Sequence, residues 1–342
     1  MKFVGRRARS RAPRAVLTLL GALALLCAPK LARQAHAGEV LKIGTLAPAA
    51  SPWGAVFKVW ATAVKEKSGG NLELEFFYNG QQGDEGAMVG KMKAGQLDGA
   101  AVTAIGLGKI YKPILALQLP GLFTSWAKLD AARDGMKGEF EKGAKDAGFF
   151  IAGWGEVGLV HSMSKGFAVK TSDDIKGKKP FAWRDDEIQK ALYQVIGGVT
   201  PVLLNVPEVL PNLNTGAINL INTPALAAEQ LQWASKLDTI TEEVSAAAIG
   251  ALVLSSKRVD ALPADLKQIV LDTGKIAAGA LTKRIRDQDA AAYKRMSGKM
   301  TVTRLSPDEK VRWDAIYKQV RQRLAQGTFS ADLVTKLEGY AK

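Results

Sequence analysis

Gly153-Trp154-Gly155-Glu156-Val157-Gly158 has the G-x-G-x-x-G spacing of a dinucleotide fingerprint. That chemistry needs a helix opening at the third glycine, so that backbone N–H groups meet a pyrophosphate. Leu159-Val160 and a Ser/Lys/Gly loop follow instead. The run therefore reads as a glycine-rich turn near a domain crossover. His161 is the one imidazole beyond residue 37, and a triad around it would need a positioned nucleophile and carboxylate. A hydrogen-bonded pocket or core histidine is the simpler reading. Asp185-Asp186-Glu187 follows Arg184 at a helix start, where acids complement the helix dipole. Lys176, Lys178 and Lys179 sit on a turn and read as a solvated face. There is no Walker A sequence and no G-x-S-x-G elbow.

The tryptophans carry more. Trp53, Trp154 and Trp183 fall beside strand ends or turns, whereas Trp60 fits the core stripe of a helix. Ligands of open α/β sheets bind beyond the carboxyl ends of strands, so such aromatics are pocket walls or domain-interface packing.

The elements that position these residues follow from periodicity. Val40–Leu46 reads as a strand, and Ser51-Pro52 as an N-cap with proline at the first helical position. Val56, Phe57, Trp60 and Val64 form one helical face, and Leu72, Leu74 and Phe76 alternate with acids as a half-buried strand. Asp84 caps a second helix and Leu97–Thr103 is a buried strand. This β-α-β-α-β order implies right-handed crossovers and a largely parallel sheet. A second alternating unit runs from Lys179–Trp183 through the helix Asp185–Ile196 to Ala217–Asn222. Ala246–Ser256 is an apolar run able to carry the chain back to the first unit. Helices are expected over about Pro263–Met296, Pro307–Ala325 and Ser330–Tyr340.

The chain has 342 residues, 47% apolar, with 47 Lys+Arg against 33 Asp+Glu, a formal charge of +14. That is long enough for two domains and too apolar for disorder. Six cations without an acid in residues 1–14, the apolar run Ala15–Ala28 and Ala35-His36-Ala37 have the order of a cleavable signal peptide. The apolar run is too short to span a bilayer, although an uncleaved N-terminal anchor is the alternative. Leu26 before Cys27 argues against a lipobox, and no apolar pair follows Arg6-Arg7 as twin-arginine export requires. Cleavage after Ala37 removes eight cations and no acid, which leaves +6, no Cys and a single His. Most support for nucleic-acid binding goes with them, as do disulfides and a multi-His metal site. No cofactor is expected.

Several segments resemble the dicarboxylate-type substrate-binding proteins of TRAP (tripartite ATP-independent periplasmic) transporters. They are Ala50-Ser51-Pro52-Trp53, Val64–Gly70, and Phe77-Tyr78-Asn79-Gly80-Gln81-Gln82-Gly83-Asp84-Glu85, close to the family's Y-P-x-G-Q-L-G-D-E. Lys93–Gly99, Leu119–Phe123 and Thr171–Lys179 continue the order, the last like T-P-E-D-L-K-G-L-K. The resemblance runs from about residue 42 to 225. It implies an α/β, periplasmic-binding-protein-like fold of type II with two lobes, each a mainly parallel sheet flanked by helices. A long helix after Pro263 would span both lobes. The implied division is a signal peptide at 1–37, lobe 1 at 38–160 plus about 250–275, and lobe 2 at 161–249 plus the C-terminal helices to 342. The implied function is a non-enzymatic periplasmic receptor, monomeric, which delivers a small organic solute to integral-membrane permease subunits. A carrier of a neutral or partly apolar ligand for another transport system, and an exported α/β enzyme, are the alternatives.

The departures concern the site. The family's carboxylate-clamping Arg falls on Phe181, and a second Arg position falls on His161 by ungapped counting. Thr223 stands where a ligand-binding Asn is common, next to Asn222. A phenyl ring cannot replace a bidentate guanidinium. Arg184 lies an odd number of residues from Phe181 and so faces the other side of a strand, unless it restores the clamp. The candidate ligand-binding residues are therefore Trp53, His161, Phe181, Trp183, Arg184, Asn222 and Thr223.

Overall fold

The computed structural model describes residues 38–342, and the signal peptide expected over 1–37 lies outside them. The strands are β1 (Glu39–Thr45), β2 (Leu72–Phe77), β3 (Gly99–Thr103), β4 (Phe149–Ser164), β5 (Phe181–Trp183), β6 (Val202–Leu204), β7 (Leu220–Pro224), β8 (Thr239–Thr241), β9 (Ala246–Ser255) and β10 (Thr301–Thr303). The helices up to β7 are α1 (Pro52–Lys67), α2 (Glu85–Lys93), α3 (Ala104–Ile110), α4 (Trp126–Asp146), α5 (Glu187–Ile196) and α6 (Val206–Thr215). Beyond it come α7 (Ala225–Gln230), α8 (Ser256–Asp260), α9 (Ala264–Ser297), α10 (Pro307–Leu324) and α11 (Ala331–Tyr340). Among the described residues no helix is long and apolar enough to cross a membrane.

The local signals act as their chemistry requires. Ser51 Oγ accepts from Gly54 N at 3.2 Å, capping α1 ahead of Pro52. Asp84 caps α2 through Glu85 N at 2.9 Å. Val56, Phe57, Trp60 and Val64 are all buried along α1. Trp60 is 1% exposed and its indole nitrogen donates to Thr273 Oγ1 at 3.0 Å. Emptying that site with Trp60→Ala costs about 3–5 kcal/mol.

The sheet order is β10-β8-β4-β9-β3-β1-β2, with β7 also paired to β4. Strands β1, β2 and β3 pair in parallel at one end, as do β8 and β10 at the other. The long strands β4 and β9 run antiparallel to each other between these ends. Strand β4 changes partners along its length. It pairs with β9 up to Val160, then with β8 at Met163 and Ser164, while β7 joins its opposite edge from Val160 onward. A separate parallel pair, β5 and β6, completes the second half.

The glycine-rich run is not the turn that its sequence suggests. It lies inside β4, which continues through it with irregularities between Ile151 and Gly153 and between Glu156 and Gly158. The glycines let the strand press against α9. A Cβ on Gly153 would lie 2.3 Å from the Ala278 Cβ, and one on Gly158 would lie 2.5 Å from the Asp289 carboxylate. Gly158 also has φ of 143°, a conformation that side chains rarely adopt.

With 34 residues, α9 is about 50 Å long. It packs along β4, against α1 near its start and α7 near its end. Its Asp289 is buried and accepts from Leu159 N at 2.8 Å and Leu226 N at 2.9 Å. Burial pushes this carboxyl up to about 6.

Candidate functional site

A cavity of about 250 Å³ opens where β4 and β9 pass between the two ends of the sheet. From the first end it receives the β1–α1 connection, with Trp53 and Phe57, the end of β3, and Gln118. From the second come Phe181, Trp183, Asn222, Thr223 and Trp233, with Trp313 and Tyr317 of α10. Backbone of β4 and β9, at Gly155 and Gly250, forms part of the floor.

Five of the seven residues singled out from sequence meet here. The Trp53 indole nitrogen donates to Glu156 O at 3.1 Å, which turns its ring carbons to the cavity wall. Phe181 is buried edge-on to Trp233 at 6.2 Å between centroids. Trp183, two residues on, lines the same cavity and donates to Asp84 Oδ2 at 2.7 Å. The Asn222 amide is held on both sides: Oδ1 accepts from Ser162 Oγ at 2.6 Å, and Nδ2 donates to Tyr193 Oη at 3.0 Å. Thr223 is buried in the wall beside it.

His161 and Arg184 lie elsewhere. Val160 and Ser162 line the cavity, so strand alternation turns His161 away from it. The His161 ring is buried, with Nδ1 2.9 Å from Thr241 O, and stacks on Tyr293 at 4.5 Å. Burial lowers its pKa, which keeps it a neutral core group. Arg184 is exposed and donates to Leu203 O at 3.0 Å, the outward placement that its odd offset implies. Lys176 likewise sits in an exposed pair with Asp173.

Other wall residues escape sequence reasoning. Glu85 is 1% exposed and accepts from Thr103 N at 2.8 Å, Thr103 Oγ1 at 2.9 Å and Gly106 N at 2.7 Å. Burial outweighs these donors and pushes its carboxyl up to about 8. Asp186 caps α5, as the acid run suggested, through Ile188 N and Gln189 N at 2.9 Å each, and it also lines the cavity. Its carboxyl is pushed up to about 6, again by burial. The side chain of Glu156 is fully buried beneath the floor, 2.9 Å from Arg133 Nη1 and 2.8 Å from Arg286 Nε. Asp130 takes both guanidiniums as well, so neither has a charge to spare. None of the described residues lining the cavity is Lys, Arg or His.

The geometry is that of an aromatic-walled cavity between the two ends of the sheet. Residues 43–327 match the family described as bacterial extracellular solute-binding protein, family 7. The chain belongs to that family. Among relatives of the chain, a solute-binding protein of Verminephrobacter eiseniae is 26% identical over 78% of this chain and 80% of its own length. A solute-binding protein of Chromohalobacter salexigens is 27% identical, with the match spanning 50% of this chain and 51% of that protein. The crystal structure of a sugar acid binding protein from Advenella mimigardefordensis, in complex with galactonate, superposes with a TM-score of 0.83 at 17% identity. That likeness covers 89% of this chain and 98% of the other, and it establishes the two-lobed α/β fold of these receptors. Family 7 proteins are solute-binding receptors, which accords with the non-enzymatic reading of the sequence.

Proposed function

We propose that this chain is the periplasmic solute receptor of a TRAP-type secondary transporter. It captures one small organic solute between two lobes and hands it to integral-membrane permease subunits. The observation that carries this reading is the cavity itself, walled from both ends of the sheet and floored by the two strands that join them. Closure around a solute excludes water, strengthens its polar contacts and creates a shape that a permease can recognise. The receptor works as a monomer after export and removal of residues 1–37.

Trp53, Phe181, Trp183, Asn222 and Thr223 form the ligand-contacting set, joined by Trp233 and Gln189. The lobe boundary lies on β4 at Val160, where the strand exchanges β9 for β8 and β7. Residues 38–160 with about 250–275 then make the first lobe, and 161–249 the second. Helix α10 meets α5 of the second lobe, whereas α11 packs on α4 and travels with the first. The test is calorimetry and small-angle scattering on the exported protein. A bound solute should compact the molecule, and tight binding at constant radius would contradict hinge closure.

A further inference from the structure

We infer that Asp186 recognises an organic acid through a shared proton, which its Oδ2 donates to a carboxylate oxygen of the bound cargo. This rests on the receptor reading and adds to it the residue that reads the cargo and the proton that enters with it. The cavity wall holds no Lys, Arg or His to pair with a carboxylate. The guanidiniums of Arg133 and Arg286 are committed to Glu156 and Asp130. Asp186 is the wall carboxyl with an oxygen to spare. Its bonds from Ile188 N and Gln189 N both end on Oδ1 and leave Oδ2 to the cavity. Glu85, by contrast, uses both oxygens for Thr103 and Gly106, and Glu156 uses both for its arginines.

Two carboxyls that meet in one site cannot both ionise, so they hold one proton between them. The neighbouring groups favour an acid as the partner. Gln189 Oε1 accepts from Trp183 N and Gln118 Oε1 from Ile249 N, both at 3.3 Å, which leaves two amide NH₂ groups facing the solute as donors. Together with a protonated Asp186 they match the acceptor oxygens of a carboxylate. An amine would bring N–H groups of its own to the same donors.

The charges around Asp186 leave this proton to the cargo. On α5, Lys190 donates to Arg184 O, Glu187 pairs with Lys112 and Asp185 pairs with Lys109 of α3. Asp84 of the facing wall holds Trp183, and β5 itself carries no titratable group. Burial raises the pKa values of Tyr193 on α5 and Tyr317 on α10, which lies beside Asp314, so both hydroxyls stay protonated. Burial brings Asp186 up to about 6, so the free receptor holds it ionised above that pH and binding draws a proton from solvent. Glu85, at about 8, largely keeps its proton between pH 5.5 and 7.5 and adds none on binding.

The test is calorimetry on the exported protein in buffers of unlike ionisation enthalpy. The probes are phenylacetate, indole-3-acetate and galactonate, each beside its amide, with phenethylamine and tryptamine as the amines. Acid binding at pH 7.5 should take up about one proton, and acid affinity should fall about twentyfold from pH 5.5 to 7.5. Asp186→Asn keeps a residue that caps α5 and presents an amide donor that needs no proton. It should bind the acids without proton uptake, more tightly than wild type at pH 7.5, with its fold unchanged by circular dichroism. Acids that bind wild type without proton uptake, uptake that persists in Asp186→Asn, or amines that bind more tightly than the acids would each overturn the inference and leave the receptor reading standing. Binding by no probe of any class would remove that reading, and the inference with it.

Discussion

The Trp183 indole nitrogen donates to Asp84 Oδ2 at 2.7 Å, joining residues 99 positions apart on opposite sides of the cavity. Asp84 caps α2 with its other oxygen, so one carboxylate fixes a helix start and holds the facing wall. Burial raises the Asp84 pKa, and the indole hydrogen bond works against that rise. Lys109–Asp185 and Lys112–Glu187 lie beside it at 2.8 and 3.0 Å, but both pairs are exposed and contribute little. Under the proposed hinge mechanism, the indole–carboxylate bond is expected to favour the closed form.

Trp183→Phe keeps an aromatic wall and removes this donor. Solute dissociation should accelerate about ten- to a hundredfold, as expected for the loss of one hydrogen bond to a charged group. Stopped-flow displacement measures it. An unchanged dissociation rate would mean that the bond plays no part in closure.

Gly158→Ala should destabilise the protein by more than about 2 kcal/mol, because the new methyl group meets the Asp289 carboxylate at a backbone angle that alanine avoids. Urea unfolding gives the value. Gly279, on the same long helix with open space around it, is the control, and Gly279→Ala should be neutral or stabilising.

Much of this fold is legible in the sequence because it depends on local chemistry. Ser51 and Asp84 cap the helices that they precede, and the Phe181/Trp183 alternation places Arg184 outside. The missing pieces depend on partners far along the chain. Gly153 and Gly158 look like a turn until α9, more than 100 residues later, explains why β4 must lack side chains there. His161 aligned with a family arginine by counting alone, yet Val160 and Ser162 own the cavity face of that strand. Glu85 reads as an ordinary first-turn acid of α2, and only the fold brings Thr103 and Gly106 to it. Trp233, Trp313 and Tyr317 lie on segments whose spacing carries no mark of a pocket.

The buried carboxyl of Glu85 gives a pH dependence with a definite sign. Its folded pKa of about 8 lies above the ordinary glutamate value, so the native state holds this proton more tightly than the unfolded chain. The contribution is full below the ordinary glutamate range and is lost as pH rises through about 8. Unfolding midpoints should fall over that window, and Glu85→Gln should gain on wild type as pH rises. A constant difference between the two would contradict the assignment.

Arg184→Ala should leave solute affinity within about twofold, since an exposed side chain of this kind contributes little. His161→Ala should lower stability by about 1–3 kcal/mol, through lost packing on Tyr293 and an unpaired Thr241 carbonyl, with affinity nearly unchanged. Calorimetry and urea unfolding on the same samples separate the two effects.

Export and processing are checked by intact mass. The secreted chain should begin close to Gly38, the first residue after Ala35-His36-Ala37. A mature cytoplasmic protein that retains Met1 would contradict periplasmic placement.

The most direct measurement for a solute receptor is mass spectrometry of whatever natively purified protein releases on denaturation, followed by adding that compound back. One small molecule per chain is expected, bound and returned chemically unchanged. At about 100 times its dissociation constant it should stabilise the folded protein by about 2.7 kcal/mol. Recovery of the compound as a converted product, or re-addition without stabilisation, would contradict the receptor account.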